Sequence, residues 1–340
     1  MRPNASSVSV RRCVVVQTTS SLVQATNRGP VPPQDLVLGI DFGWTNVALC
    51  VDDAGRVIAS DRIPIRLGDS ARTVVDRTIT AVKRMLDACL APVIAVGIVT
   101  PGIVHDHRIE LATNVDGWSE LSMRDRFVDG LGISLVVVGN DVKAAALAEA
   151  TTGALAGVDP GLYLNLGTGI AAAIVVNGTV VQGAHGASGE IGYGTVGASG
   201  ELDWSGRGAP LEQHVGGRGL GERGSQRFGT DGSARSILDL ARTEAAASMF
   251  LRERVDELAR HVLTCALLLD PQRVVVGGGM SRATKVILNP LRARLESAMV
   301  FPPEVVESSF GADASLRWAV ELALRAVATD HAALHVGEEA

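Results

Sequence analysis

The sequence of 340 residues lacks any run of about 18 uninterrupted apolar residues, which is the length that a membrane-spanning helix needs. It has little cysteine, and its four cysteines lie too far apart for a disulfide framework or a cysteine-rich zinc module: Cys13, Cys50, Cys89 and Cys265. It also lacks an excess of basic charge, because its net charge is −6, which gives no electrostatic footprint for nucleic acid. These absences favour a cytoplasmic α/β protein without a membrane or nucleic-acid partner.

The length and the composition of the chain favour a protein of two lobes. Apolar residues make up 46% of the chain and charged residues 20%, so the chain can bury a large core. A chain of 340 residues suits two lobes of about 150 residues each. Residues 1–34 hold four arginines and no acidic residue, and Arg11 and Arg12 interrupt their apolar stretch. We expect these residues to be a flexible tail or an over-extended start rather than a targeting segment.

Each half of the chain begins with the same pattern of a buried strand, a glycine turn and a second strand. In the first half, strands over 36–40 and 46–51 flank the first turn, and in the second half strands over 161–166 and 170–176 flank another. The repeat predicts an α/β fold of two lobes with a cleft between them.

The same pattern sets the expected lobe boundaries. We predict an N-terminal lobe over residues 35–138 and a C-terminal lobe over 139–312. A last helix near 313–328 is expected to pack back on the N-terminal lobe. The glycine-rich stretch 183–232 is too long for a plain connection, so it is expected to contain structure that forms the site.

Three glycine turns follow buried strands, at 41–46, 167–169 and 277–279. Glycine lets backbone amides approach an anion, so three such turns across both halves predict a cradle for phosphate. The chain has no Gly-Lys-Ser/Thr of a Walker A loop. It also has no Gly-x-Gly-x-x-Gly that opens a helix after the first strand, so it carries neither common nucleotide fingerprint.

Four motifs resemble, in order and spacing, those of the ROK family, which joins bacterial sugar kinases and sugar-responsive repressors on the actin-like ATPase fold of hexokinases. They are Asp41-Phe42-Gly43-x-Thr45-Asn46, Gly139-Asn140-Asp141, Leu166-Gly167-Thr168-Gly169-Ile170 and Gly189-Glu190-Ile191-Gly192. The resemblance covers residues 36 to 328. It implies a two-lobed fold of the hexokinase type, a sugar substrate, ATP and Mg²⁺ as cofactors, and a homodimer.

The resemblance also implies roles for individual residues. Asp141 matches the catalytic base, because a carboxylate can accept the proton of a sugar hydroxyl as the phosphoryl group arrives. The alternative is that Asn140 or Asp141 only caps the following helix. Asp41 matches the carboxylate that holds Mg²⁺ through water, and its alternative is an aspartate that merely shapes the turn.

Two sets of binding residues follow from the same resemblance. Nucleotide and phosphate contacts are expected from Asp41, Gly43, Thr45, Asn46, Gly167, Thr168, Gly169, Gly278 and Gly279. Contacts to the sugar are expected from Asn114, Asn140, Asp141, Glu190, Tyr193 and Glu212, which are the residue types that pair with hydroxyl groups. For Glu212, a solvated surface glutamate is an equal alternative.

The resemblance fails at two places. At the family's zinc site, Tyr193 replaces the histidine, and Asp203, Ser205 and Pro210 replace the three cysteines, so we expect no structural zinc. Because the family histidine also touches sugar, Tyr193 is expected to change the preference for the acceptor. Trp44 stands where the family has glycine in its first phosphate loop. Its indole is expected either to crowd the terminal phosphate or to cover the cleft as a lid.

The sequence thus predicts ATP-dependent phosphorylation of a hexose or a hexose-like sugar or cyclitol, with Asp141 as general base. The alternative is a non-catalytic sugar sensor or transcriptional regulator of the same family. Such regulators carry a winged helix of about 60 to 80 residues before the first strand. Here only about 35 residues precede it, so direct binding to DNA is not expected. A degenerate kinase that binds sugar or nucleotide and regulates a partner is a third hypothesis.

Overall fold

A computed structural model describes residues 36–105, 108–111, 116–197, 209–311 and 314–337 of the chain. The predicted tail over 1–34 lies outside these residues. The elements of the first half are β1 (Leu36–Phe42), β2 (Asn46–Asp53), β3 (Arg56–Pro64), α1 (Ala71–Leu86), β4 (Val93–Thr100), β5 (Ile103–Val104), β6 (Ile109–Glu110), α2 (Met123–Leu131) and β7 (Leu135–Asn140).

The second half contains more helix. Its elements are α3 (Asp141–Thr152), β8 (Gly161–Leu166), β9 (Ile170–Val176), β10 (Thr179–Val180), α4 (Pro210–Val215), α5 (Gly217–Phe228), α6 (Ala234–Leu240), α7 (Ala245–Leu269), β11 (Arg273–Gly277), α8 (Asn289–Ala298), β12 (Glu304–Glu307) and α9 (Ala314–Gly337). Among the helices of the described residues, none is long and apolar enough to cross a bilayer.

Two five-stranded sheets repeat one topology. The first has the strand order β3-β2-β1-β4-β7 and the second β10-β9-β8-β11-β12. In both, the first three strands in this order pair antiparallel and the last three pair parallel. In each half, the glycine turn connects two neighbouring antiparallel strands. These strands are β1 and β2 in the first half and β8 and β9 in the second. The duplicated pattern in the sequence therefore corresponds to a duplicated sheet.

The first sheet is covered on both faces, as its apolar central strands require. On one face, Phe42 meets the rings of Trp118 and Phe127 edge-on, at centroid distances of 5.2 and 6.1 Å. On the other face α9 packs so closely that a Cβ on Gly97 of β4 would lie 1.8 Å from the Ala319 carbonyl oxygen. Glycine is therefore required at this position of β4, because any side chain would push α9 away from the sheet.

The second sheet packs against α7, whose buried residues recur at the helical spacing. Leu251, Val255, Leu258 and Val262 are buried in one core with strands β8 and β11. Burying a side chain of this size contributes about 1.5 to 3 kcal/mol, so this face of α7 is a rigid part of the lobe. Helix α3 lies between the sheets, where its Ala144 and Ala148 pack against Trp318 of α9.

Most predicted elements agree with the structure, and the differences lie at the ends of elements. The stretch 183–232, which was expected to contain structure that forms the site, holds α4, α5 and a short 3-10 helix, Ile191–Tyr193. The last helix extends to Gly337, well beyond the predicted end near 328. Its sequence contains neither proline nor an internal glycine that would have ended it earlier.

Candidate active site

A cleft opens where residues from both halves of the chain meet. Its polar wall consists of three carboxylates, Asp141, Glu190 and Glu212, and its aromatic wall of Trp44 and Tyr193. The other lining residues are Pro101, Gly102, Leu111, Asn140, Val142, Asn165, Gly169, Ile170 and Ala171. The structure thus brings together five of the six predicted sugar contacts. The sixth, Asn114, lies outside the described residues.

The junction between β7 and α3 places the carboxylate of Asp141 in this cleft. Asn140 is the helix cap, because its Oδ1 accepts a hydrogen bond from the Lys143 amide at 2.9 Å. Its Nδ2 donates to the Gly102 carbonyl at 2.8 Å, which ties the junction to the segment after β4. With the cap supplied by Asn140, the Asp141 carboxylate accepts a hydrogen bond from the Val142 amide at 2.9 Å. It is therefore left to face the cleft.

The surroundings of Asp141 favour its protonated form. Burial raises the pKa of this carboxyl to about 6, the Val142 amide opposes the rise, and the charges of Glu190 and Glu212 add to it. A carboxylate with a pKa just below neutral is ionised at pH 7 and still accepts a proton readily.

Glu190 lies directly before the 3-10 helix Ile191–Tyr193. Burial raises the pKa of Glu190, although the charge of Lys143 opposes the shift. Burial also raises the pKa of Tyr193 to about 12, together with the charges of Glu190 and Glu212. At neutral pH the Tyr193 hydroxyl is therefore protonated and can donate a hydrogen bond into the cleft.

Lys143 is a residue of the site that the sequence analysis missed. It is buried in α3, and its Nζ donates to the Gln182 carbonyl at 3.3 Å and to the Gly186 carbonyl. Burial lowers its pKa, and the charge of Glu190 opposes that shift. Lys143 thus fastens the loop that leads to Glu190. A single lysine within an alanine-rich helix was the signal that could have identified it.

Glu212 of α4 lies against the second glycine turn and not on the open surface. Its Oε2 accepts a hydrogen bond from the Ile170 amide at 3.0 Å. A Cβ on Gly169 would lie 2.3 Å from the same oxygen, so a side chain there would displace the Glu212 carboxylate. Burial raises the pKa of Glu212, while the Ile170 amide and the charge of Arg218 oppose the shift. This placement contradicts the alternative of a solvated surface glutamate.

The first glycine turn is stabilised by hydrogen bonds between its own residues. The Gly43 amide donates to the Asn46 carbonyl at 3.0 Å, and the Asn46 side chain donates to the Thr45 hydroxyl at 3.1 Å. Thr45 is exposed at the tip, whereas Trp44 is half-buried and lines the cleft. The indole thus shares the cleft with Asp141, and both of the predicted roles of Trp44 stay predictions.

The second and third glycine turns lie side by side. In the second, the Gly167 and Thr168 carbonyls accept from the Gly217 and Arg218 amides at 2.9 and 3.1 Å, so the turn is fixed to the start of α5. In the third, Gly278 has φ +82° and approaches Leu166 so closely that a Cβ would lie 2.5 Å from its carbonyl oxygen. The Cβ position of Gly279 has no heavy atom within 4 Å, which leaves this side of the turn open.

Asp41 lies next to the end of β1 and contacts α9. Its Oδ2 accepts a hydrogen bond from the Ser315 hydroxyl at 3.0 Å, a contact between residues 274 positions apart that no local pattern could predict. A partly buried carboxylate beside a glycine turn is the kind of oxygen ligand that Mg²⁺ prefers. Asp41 could therefore hold Mg²⁺ that arrives with a nucleotide.

The chain is similar to known proteins over most of its length. The family model described as ROK family matches residues 37–326. A glucokinase from Halalkalibacterium halodurans is 26% identical over 282 residues, which are 76% of this chain and 85% of that protein.

Two solved structures share the fold. A ROK family glucokinase from Streptomyces griseus, solved in complex with glucose and AMPPNP, has a TM-score of 0.72 at 28% identity and covers 85% of this chain and 99% of its own. A ROK family transcriptional regulator, a homologue of the Escherichia coli MLC protein, has a TM-score of 0.73 at 20% identity and covers 86% of this chain and 78% of its own. The predicted two-lobed, actin-like fold is confirmed, and the chain belongs to the ROK family.

Proposed function

We propose that this protein transfers the terminal phosphoryl group of ATP to a hydroxyl of a hexose or hexose-like sugar, with Asp141 as the general base. The observation that carries the proposal is the position of this carboxylate in a cleft with Glu190 and Glu212. Those two groups hold the pKa of Asp141 near neutrality after burial has raised it. The similarity to glucokinases supports a sugar as the acceptor.

The acceptor would bind by exchanging hydrogen bonds with the wall of the cleft. Carboxylates accept hydroxyl protons in pairs, and the Tyr193 hydroxyl supplies a donor. As the phosphoryl group moves in line, Asp141 takes the proton of the attacking hydroxyl, which keeps the oxygen nucleophilic without a free alkoxide. The carboxylic acid so formed releases its proton to solvent when the cleft opens.

The substrate Mg-ATP would lie along the glycine turns. Amides and hydroxyls around Gly43, Thr45, Asn46, Gly167, Thr168 and Gly169 would contact the phosphates, and the open side of Gly279, next to Gly278, leaves room for the nucleoside. Asp41 would hold Mg²⁺ through water, and the ion would neutralise charge on the phosphates. The AMPPNP complex of the similar glucokinase supports a nucleoside triphosphate as donor.

A second candidate function is a sugar sensor or transcriptional regulator without transferase activity. It is supported by the fold shared with a ROK regulator and by Trp44, whose indole lines the same cleft as Asp141. The retained carboxylate base favours the kinase, because a pure sensor has no need of a group that accepts a proton. The resemblance also supports a cytoplasmic homodimer without a nucleic-acid partner, and sedimentation of the full chain tests the dimer.

The test is incubation of the full chain with Mg-ATP and a panel of hexoses, amino sugars and cyclitols, followed by detection of ADP and of the phosphorylated product. Transfer to at least one acceptor, lost in Asp141→Asn, is the expected result. Calorimetric binding of a sugar without product would favour the sensor. Equal turnover by Asp141→Asn and the unmodified protein would refute the assigned base.

A further inference from the structure

The backbone that follows Tyr193 leaves the cleft and runs to α7. Residues 194–197, here called the anchor segment, begin where the Gly194 amide donates to the Ile191 carbonyl at 2.9 Å and the Gly194 carbonyl accepts from the Leu211 amide at 3.1 Å. The segment is therefore continuous with the 3-10 helix whose neighbours, Glu190 and Tyr193, line the cleft. A shift of the anchor segment would displace both side chains.

His261 of α7 holds the first part of this segment. Its Nε2 lies 2.8 Å from the Thr195 carbonyl oxygen. Because a carbonyl oxygen only accepts hydrogen bonds, Nε2 carries the hydrogen in this contact. The imidazole also packs against Gly194, where a Cβ would lie 2.6 Å from Cε1. The ring thus fixes the backbone by a hydrogen bond and by close packing.

Glu257, one turn earlier on α7, holds the end of the segment. It is only 5% exposed, and its Oε1 accepts a hydrogen bond from the Gly197 amide at 3.2 Å. Its other oxygen pairs with Arg260, and Oε1 lies 3.6 Å from Nε2 of His261. Burial alone would raise the pKa of Glu257, but the bonds from Arg260 and Gly197 and the charges of Arg260 and His261 outweigh it and lower the pKa. The carboxylate is therefore ionised and engaged at neutral pH.

These two side chains act from a rigid support. Residues four apart on a helix lie on the same face, so Glu257 and His261 reach the segment together. The neighbouring Leu258 and Val262 are buried in the core of the second lobe. The anchor segment is consequently attached at two points to a helix that is buried in the core of that lobe.

The same region carries zinc in the family that the chain resembles, and the residues here do not fit that ion. Tyr193 and Pro210 stand at two of the ligand positions and supply neither the imidazole nor the thiolate that structural zinc prefers. The other two positions, Asp203 and Ser205, lie outside the described residues. Within the described ranges, no group of three or more His, Cys, Asp or Glu side chains is placed to hold a metal.

We propose that Glu257 and His261 are positioning residues, which hold the anchor segment and so orient Glu190 and Tyr193 toward the acceptor without a metal ion. They touch neither reactant and act only through the backbone between residues 193 and 197. The effect on the reaction rests on the proposed kinase function, whereas the effect on the segment itself does not.

The kinetic test compares Glu257→Gln and His261→Ala with Asp256→Asn, a neighbour on α7 that pairs with Arg294 instead. Each of the first two variants should raise the KM for the sugar about tenfold, the equivalent of one lost hydrogen bond, and leave the KM for ATP within about twofold. His261→Gln, which can present an N–H at similar reach, should recover much of the loss. Asp256→Asn should behave as the unmodified protein, and incubation of that protein with 1,10-phenanthroline should not change its rate.

Hydrogen–deuterium exchange tests the anchor without requiring any turnover. The amides of residues 190–197 should exchange about tenfold faster in His261→Ala than in Asp256→Asn, with exchange in β8 and β11 unchanged. If exchange over 190–197 is the same in both variants, or if phenanthroline inactivates the enzyme, the proposal is wrong. If the exchange effect is observed but no phosphoryl group is transferred, the proposed function is wrong, and the proposal that Glu257 and His261 hold the anchor segment still stands.

Discussion

The two ends of α3 each carry an acidic side chain, and the surroundings of the two carboxylates differ. At the C-terminal end, Glu149 is fully buried and accepts hydrogen bonds from the Ser308 hydroxyl at 2.5 Å and from the Ser309 and Ala154 amides at 2.8 and 2.6 Å. At the N-terminal end, Asp141 accepts a hydrogen bond from the amide of its neighbour Val142 at 2.9 Å, and the charges of Glu190 and Glu212 act against its ionisation.

The difference separates a carboxylate whose hydrogen bonds are structural from the one that we propose to act as the base. Both oxygens of Glu149 are satisfied, and the bonds join the end of α3 to the connection between β12 and α9. The end of α3 and the connection between β12 and α9 are the two places where the chain passes between the sheets. Asp141 is held in position by its helix, but its charge is poorly compensated. A group in that state gains by accepting a proton or by binding hydroxyl donors.

The substitution with the largest expected effect removes the carboxylate of Asp141. Asp141→Asn preserves shape but removes the proton acceptor, so kcat should fall about 10³-fold, equivalent to about 4 kcal/mol of transition-state stabilisation. Glu149→Gln should change kcat only severalfold, because its carboxylate takes no part in proton transfer. A coupled ADP assay at saturating sugar measures both variants. A similar loss in the two would remove the distinction between the carboxylates.

The next largest effect concerns Glu149 and the stability of the fold. Glu149→Gln places an amide –NH₂ against backbone N–H donors, so one buried donor loses its acceptor. We expect the free energy of unfolding to fall by roughly 3 kcal/mol, measured from urea titrations. The matched control is Glu253→Gln, whose exposed side chain pairs with Arg254 and should change the stability by less than about 0.5 kcal/mol. A midpoint of Glu149→Gln equal to that control would show that the bonds around residue 149 contribute little.

The contrast between these acids also marks what the sequence could predict. The repeated strand–glycine–strand pattern was sufficient for the duplicated sheets, and the motifs that contain Asp141 and Glu190 were sufficient to bring those two side chains to one cleft. For Glu212 the sequence left a surface position as an equal alternative. Local signals work at Asp141 and Glu190 because each residue stands at the start of a helix. The lobe boundaries at residues 138 and 312 and the individual roles of the site residues stay predictions.

Contacts between distant segments were beyond reach of the sequence. The bond of Ser315 to Asp41, the anchoring of Thr195 by His261 and the pairing of Glu149 with Ser308 each join residues more than 60 positions apart. Such contacts depend on how whole elements pack, and a single sequence does not encode that packing in any periodicity. The balance of hydrogen bonds that distinguishes Asp141 from Glu149 is of the same kind.

A third prediction concerns the pH dependence of the stability that Asp141 contributes. The folded-state pKa of Asp141 is raised to about 6 from 3.8, so folding favours its protonated form. Stability from this group is therefore fully present below pH 3.8 and is lost as pH rises to about 6. Asp141→Asn escapes that loss and should be more stable than the unmodified protein by roughly 1 to 3 kcal/mol at pH 8.

Urea titrations of Asp141→Asn and the unmodified protein at several pH values measure this gain. The difference between the two proteins should shrink steadily between pH 7 and pH 4. A gain that does not depend on pH would show that the side-chain swap, and not the buried charge, is its source.

The smallest expected effect tests the repulsion that distinguishes Asp141 from Glu149. With Asp141 as base, kcat/KM should fall as pH drops below about 6, because the base becomes protonated. After burial, the charge of Glu190 is a further cause that raises this pKa, so Glu190→Gln should move the acid limb to lower pH by roughly half a unit, while also weakening sugar binding. A pH series of kcat/KM for both proteins measures the shift. An acid limb that stays in place would mean that burial alone sets the pKa of the base, and the like-charged neighbours would then serve only to hold the sugar.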